Sequence, residues 1–275
     1  MLVSTPIGNL GDVSTRARET LAASDLILCE DTRHSGHLFS ALGVRARTEP
    51  LHEHNEDARI GPVLALLRAG RRVALVSDAG TPLMSDPGFR LVRAAIAEGL
   101  PVTAVPGPNA ALTALVLSGL PPVPFLFLGF PPPRAAARRT GFGALRAAER
   151  AGLAATLIWH EAPHRLAETL ADMAAAFGAR PAAVARELTK RFEEVRRGTL
   201  PELAASYAAT AVRGEVTVLV GPGAQDADAE GLDERLRSAL ASGSVKDAAA
   251  LVAAATGLPR KVVYARALEL AAERG

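Results

Sequence analysis

Four clusters of carboxylates, prolines and small residues recur in the first half of the chain, each directly after a short apolar run. Leu2–Val3 runs into Ser4-Thr5-Pro6-Ile7-Gly8-Asn9, and Leu26–Leu28 into Cys29-Glu30-Asp31-Thr32-Arg33-His34. Val73–Val76 runs into Ser77-Asp78-Ala79-Gly80-Thr81-Pro82-Leu83-Met84-Ser85-Asp86, and Val102–Val105 into Pro106-Gly107-Pro108-Asn109. Such segments are not core, because proline gives no N–H to a ladder and glycine packs nothing. They are suited to binding instead. Pro6 stiffens the first turn, while Gly8 lets backbone approach a ligand closely. Asp78 and Asp86 offer carboxylates, and the Gly80-Thr81-Pro82 turn between them, from Ala79 to Met84, offers backbone amides. This set suits a ligand with ribose hydroxyls, an adenine edge and an amino-acid group better than one rich in phosphate. The same aspartates would also serve an ordinary tight turn by capping backbone N–H groups. No G-x-x-x-x-G-K-[ST] occurs, no G-x-G-x-x-G follows the first strand, and no G-x-S-x-G is present, which argues against a P-loop, a standard dinucleotide site and a serine nucleophile elbow.

Two further polar segments follow apolar runs in the second half: Trp159-His160-Glu161-Ala162-Pro163-His164-Arg165 and Arg186-Glu187-Leu188-Thr189-Lys190. Glu161, Arg165, Glu187 and Lys190 are the groups that could take a proton or steady a developing negative charge. The same four could equally form a structural ion-pair network. Only three of the 31 basic residues are lysine, Lys190 among them, which singles it out where a compact ammonium is needed. Residues 134–150 carry Arg134, Arg138, Arg139, Arg146 and Arg150 against Glu149 alone. A solvated helix face has this composition, and so does a contact surface for a nucleic-acid backbone. The six histidines fall in three close pairs, but so loose a spacing specifies no metal site, and Pro163 interrupts the last pair.

Helical periodicity over 14–23, 56–69, 89–98 and 109–119, between the apolar runs, predicts a parallel, doubly wound sheet. Ligands of such sheets bind beyond the carboxyl ends of the strands, where all four polar loops fall. Pro121-Pro122-Val123-Pro124 reads as a rigid linker. A second α/β set then has strands at 125–128, 155–159, 182–185 and 216–220 and helices near 135–151, 164–177 and 200–210. The expected organisation is an N-terminal domain over 1–122, a second over 123–223 and a helical tail over 229–275. The 221–228 segment is a polar spacer. Ser244 to Asp247 reads as a capping box, and Thr256-Gly257-Leu258-Pro259 as the turn of a helix-turn-helix.

With 275 residues, 49% of them hydrophobic and 22% charged, the composition is that of a soluble globular chain. The one cysteine excludes an internal disulfide framework and fits a reducing, cytoplasmic setting. No signal peptide is expected at the start. The uncharged stretch 99–133 is broken repeatedly by proline, and its clean piece, 110–120, is too short for a membrane span. Residues 228–275 carry seven acidic and seven basic residues, which argues against a groove-reading DNA helix.

Taken in order, Ser4–Asn9, Glu30–His34, Leu51-His-Glu-His-Asn-Glu56, Ser77–Pro82, Ser85–Gly88, Pro106–Pro108, Glu161–Arg165 and Arg186–Lys190 resemble the ribosomal RNA small subunit methyltransferase I family of the tetrapyrrole methylase superfamily. The resemblance covers the whole chain. It implies S-adenosylmethionine as methyl donor, 2′-O-methylation of a cytidine ribose in the decoding centre of 16S rRNA within the 30S subunit, and a homodimer. It places the donor between the domains, against the 77–88 loop and Pro106-Gly107. On this reading Arg33, His34, Arg134, Arg138 and Arg139 are the expected RNA contacts. The alternatives are a tetrapyrrole ring methylase on the same fold and a non-catalytic RNA-binding assembly factor.

Overall fold

The computed structural model describes residues 1–223, 229–241, 243–256 and 260–273. The first half alternates strands and helices. These are β1 (Leu2–Val3), α1 (Thr15–Ala22), β2 (Leu26–Cys29), α2 (Thr32–Leu42) and β3 (Thr48–Pro50), then α3 (Glu56–Arg68), β4 (Val73–Leu75), α4 (Phe89–Ala97), β5 (Ala104–Val105) and α5 (Ala110–Ser118). The five strands form one sheet in the order β3-β2-β4-β1-β5, every pairing parallel. All four residues of β2 are buried, as expected of a strand covered on both faces. Ile27, Cys29 and Ala74 pack toward Leu21 of α1 and Phe39 of α2, whereas Leu26, Leu28 and Leu75 pack toward Val63 of α3 and Leu91 of α4. The sheet is therefore doubly wound.

Two elements here depart from the sequence expectation. β3 has no apolar run because it is an edge strand, and Glu49 within it takes the guanidinium of Arg59 at 2.6 Å. Residues 32–34, read above as loop, instead open α2, with Asp31 as its N-cap. Asp31 Oδ1 accepts from the N–H groups of Arg33 (2.8 Å) and His34 (3.4 Å), and Gly43 closes the helix at φ 68°.

The second half runs β6 (Phe125–Phe127), α6 (Ala135–Arg150), β7 (Thr156–Glu161), α7 (Leu166–Phe177), β8 (Pro181–Arg186), β9 (Glu194–Thr199), α8 (Leu200–Ala208) and β10 (Val216–Val220). Its sheet order is β6-β7-β10-β8-β9, with β6 and β7 parallel and β10 antiparallel to both neighbours. β9, also unexpected from the sequence, is a charged edge antiparallel to β8. One face of this sheet is covered by α6, α7 and α8 through Phe142, Leu170, Met173 and Tyr207. The other face is covered by α5, whose Ala111, Ala114 and Leu115 pack with Ile158, Ala183 and Leu219. That burial accounts for the uncharged stretch around 110–120. Among the described residues, no helix is long and apolar enough to cross a membrane.

The tail folds as α9 (Ala229–Leu240), α10 (Val245–Thr256) and α11 (Arg260–Ala272) around Leu236, Val252, Val263 and Leu270. Ser244 Oγ accepts from Asp247 N–H at 3.2 Å, as the capping pattern requires. Spacer residues 224–228 and turn residues 257–259 lie outside the described residues.

Candidate active site

Because every strand of the first sheet is parallel, the loops after β1, β2, β4 and β5 gather at one edge, and the chain knits them together there. Thr5 N–H donates to Gly80 O (2.9 Å) and Gly80 N–H to Thr5 O (3.2 Å). Thr5 Oγ1 donates to Ser77 O (3.2 Å), and Thr81 Oγ1 to Pro108 O (3.2 Å). The Gly80 amide is thus committed to Thr5 and is not free for a ligand, contrary to the reading of the turn as a row of open donors. Leu83 and Ser85 both hold positive φ, at 72° and 74°, a conformation that costs on the order of 1–3 kcal/mol for each such residue.

Facing this edge are the carboxyl ends of β6, β7 and β8 and the amino end of β10. Between the two lies a cleft of about 380 Å³, within the size range of small-ligand sites. Asp78, Ala79, Gly80, Thr81, Met84 and Asp86 line one side, joined by Asn109 and Ala110 at the start of α5. Phe127, Phe130, His160, Glu161, Glu215 and Thr217 are on the other. Asp86 is pushed up to about 6, first by burial and then by the neighbouring Glu30 and Asp78 charges. Burial likewise pushes the His160 imidazole down, so the ring is neutral near pH 7. Its Nδ1 stands 3.2 Å from Thr217 Oγ1.

The remaining sequence-derived residues fall around this cleft in different ways. Pro6, Gly8, Pro82, Pro106 and Gly107 lie outside its lining. Gly107 is needed where a Cβ would stand 2.9 Å from Ser4 Cβ, so the 106–107 turn braces the first loop. Arg33 and His34 are exposed on the first turn of α2, beside Asp31, whose N–H donates to Asp78 Oδ1 at 3.3 Å. Arg134 and Arg139 are exposed, but Arg138 is fully buried. Arg138 Nε donates to Asp172 Oδ2 at 2.7 Å, and its Nη2 lies 2.8 Å from Glu168 Oε1. Its assignment as an RNA contact is therefore corrected: the guanidinium ties α6 to α7.

Glu161 lines the cleft, and its carboxylate is buried. It accepts from Ala162 N–H (2.7 Å), Arg165 Nε (2.9 Å) and Thr169 Oγ1 (2.5 Å). A carboxylate so occupied positions the strand end and holds Arg165. Glu187 and Lys190 also lie outside the lining. Lys190 Nζ donates to Glu187 Oε1 (2.9 Å) and to Glu215 Oε2 (2.8 Å), and Glu215 does face the cleft. Burial alone would lower the lysine pKa, but these two carboxylates more than offset it and hold it above the usual value. Lys190 is accordingly a fixed cation, not a neutral amine made by burial. Glu187 and Thr189 sit at φ 51° and 66°, so this loop, like 83–85, is held in a strained shape beside the cleft.

Sequence reasoning missed Phe127, Phe130, Glu215 and Thr217. Glu215 and Thr217 escaped because they stand at the amino end of an antiparallel strand, where a search along carboxyl ends does not look. Phe130 carried a signal: an aromatic between Gly129 and three consecutive prolines.

The comparisons agree with this architecture. Residues 1–204 match the family described as Tetrapyrrole (Corrin/Porphyrin) Methylases, and residues 225–271 the RsmI C-terminal HTH domain. Ribosomal RNA small subunit methyltransferase I of Mesorhizobium japonicum is 49% identical over 98% of this chain and 91% of that protein. The protein of the same name from Escherichia coli O157:H7 is 43% identical over 98% of this chain and 94% of its own length. Among solved structures, the methyltransferase CobJ aligns at a TM-score of 0.59 and 20% identity, covering 81% of this chain and 93% of that one. Diphthine synthase aligns at 0.60 and 13%, covering 80% and 89%. At such identities these two share the fold alone. The full-length matches decide the matter: the chain belongs to the ribosomal RNA small subunit methyltransferase I family.

Proposed function

We propose that the protein transfers a methyl group from S-adenosylmethionine to the 2′-hydroxyl of a cytidine in the decoding centre of 16S rRNA, acting on the 30S subunit in the cytoplasm. One observation carries this reading. In a chain of this family, the strand ends of both sheets converge on one cleft of small-ligand size. The residues fit the donor. The Asp78–Asp86 loop supplies carboxylates to a cleft that would receive a sulfonium cation, and the start of α5 presents the positive end of a helix dipole to a carboxylate.

Bound there, S-adenosylmethionine supplies an electrophilic methyl group on sulfur. The chain's own part would be to hold the ribose 2′-oxygen in line with that methyl group and to take up the hydroxyl proton. Positioning of the two reactants supplies much of the rate. Glu215, on the wall facing the Asp78–Asp86 loop, is assigned to accept the proton, and Lys190, held by Glu187, fixes Glu215 and lends positive charge near the developing alkoxide. Arg33, His34, Arg134 and Arg139, all exposed, are assigned to the RNA backbone. The assembly is assigned as a homodimer, for which Val116, Val123 and Phe125 are exposed apolar contacts to test.

A tetrapyrrole ring substrate is less well supported, because the likeness to corrin and porphyrin enzymes is in fold while the close full-length relatives are named for ribosomal RNA. The test is transfer of a labelled methyl group to purified, unmodified 30S subunits, mapped by mass spectrometry of nucleosides. Label on a cytidine ribose is expected. Label on a base, on a tetrapyrrole ring, or nowhere overturns the assignment.

A further inference from the structure

The cleft has one wall that the donor reading leaves unused. Phe130 stands at its rim with 54% of its surface exposed, although it lines the cavity. The ring is held rather than loose. Gly129 turns the chain at φ 66°, with its Cα face against Ser85 of the opposite loop, where a Cβ would come within 3.2 Å of Ser85 Oγ. Gly129 O accepts from His160 N–H at 2.9 Å, and Pro131, Pro132 and Pro133 follow directly, each with φ locked by its ring. Phe130 tilts against the His160 ring at 5.7 Å between centroids, and His160 is itself set edge-on to Phe127 at 4.9 Å. His160 is in turn steadied by Thr217. A half-exposed aromatic on a stiff loop, backed by a second ring and open to a ligand cleft, is a surface prepared for another flat ring. The exposed Arg134, four residues later, is the N-cap of α6.

We propose that Phe130, backed by His160, is a stacking platform for the nucleobase of the target nucleotide. The platform would hold a base turned out of its stack so that the attached ribose faces the Asp78–Asp86 side of the cleft. This rests on the RNA-methylation reading above and adds the residue that grips the substrate. Stacking is indifferent to base identity, so the platform provides grip and orientation rather than sequence choice.

Steady-state methylation of 30S subunits, with calorimetric binding of S-adenosylmethionine in parallel, tests it. Phe130→Ala should raise KM for the subunit roughly tenfold or more, the loss expected for one base–aromatic stack, while donor Kd and melting temperature stay at wild-type values. Phe130→Leu, apolar but without a π face, should behave like the alanine variant, and Phe130→Trp should restore KM toward wild type. Donor Kd weakening in step with the alanine substitution overturns the proposal, because the ring then serves the donor's adenine. An unchanged KM in Phe130→Ala overturns it as well. Should wild-type protein transfer no methyl to 30S subunits, the functional reading fails on its own. The platform is then judged by binding of a single-stranded, cytidine-containing oligoribonucleotide: weaker binding by Phe130→Ala supports it, and equal binding overturns it.

Discussion

Gly8 and Lys190 lie against each other where the loops after β1 and β8 meet: a Cβ on Gly8 would overlap Lys190 Cγ and stand 2.9 Å from its Cε. The loop after β1 and the loop after β8 can close on one another only because Gly8 has no side chain. Gly8→Ala should therefore destabilise the protein by about 1–3 kcal/mol, the usual cost of overpacking, and lower methyl transfer. Adding Lys190→Ala should recover part of the lost melting temperature, since it removes the atoms the new methyl meets. A double variant no more stable than Gly8→Ala would show that the strain lies elsewhere.

Lys190 bridges Glu187 and Glu215 as a compact ammonium in the space Gly8 leaves. A guanidinium keeps the charge but needs a wider, planar site. Lys190→Arg is expected to lower the rate constant for transfer at least tenfold and leave donor Kd near wild type, the pattern of an interaction felt only in the transition state. Single-turnover kinetics separate the two quantities, and normal turnover would make this lysine a surface charge.

The arginines of 134–139 should divide cleanly. Arg138 is buried against Asp172 and Glu168, so Arg138→Ala leaves carboxylates without their partner and should cost about 3–5 kcal/mol in chemical denaturation. Arg134→Ala and Arg139→Ala should leave stability within error and weaken 30S binding instead. Each should reduce the slope of log affinity against log salt by about one. An unaltered slope would return both residues to an ordinary solvated face.

Asp86 makes stability depend on pH. Its carboxyl is pushed up to about 6 by burial and by Glu30 and Asp78, from an ordinary value of 3.8. The folded protein therefore holds this proton more tightly than the unfolded chain does. Its contribution is complete below about pH 4 and is lost as the pH rises through 6. Asp86→Asn should raise the melting temperature at pH 8 and lose most of that advantage by about pH 4. A gain independent of pH would mean that the carboxylate does not feel its neighbours.

Glu56 shows how a motif can be legible while its purpose is not. The Leu51–Glu56 segment was recognisable as part of a family pattern, but its last carboxylate is buried and accepts from Leu91 N–H at 3.0 Å, capping the helix that follows the 77–88 loop. Nothing local in the sequence pairs residue 56 with residue 91.

The sequence by itself determined the parallel first sheet, the second α/β unit, the helical tail and the 78–86 wall of the cleft. Those features follow from local physics: apolar runs bury, helical periods cover them, and proline with glycine forces chain out of the core. It did not reveal β3 and β9, because edge strands carry charge where buried strands carry aliphatics. It could not separate Arg138 from Arg134 and Arg139, since all three share one run and only packing against α7 decides which is buried. Nor could it place Glu215 and Thr217 in the cleft, because that depends on β10 running antiparallel to its neighbours. Strand direction within the second sheet is a property of long-range pairing, and only the tertiary structure settles it.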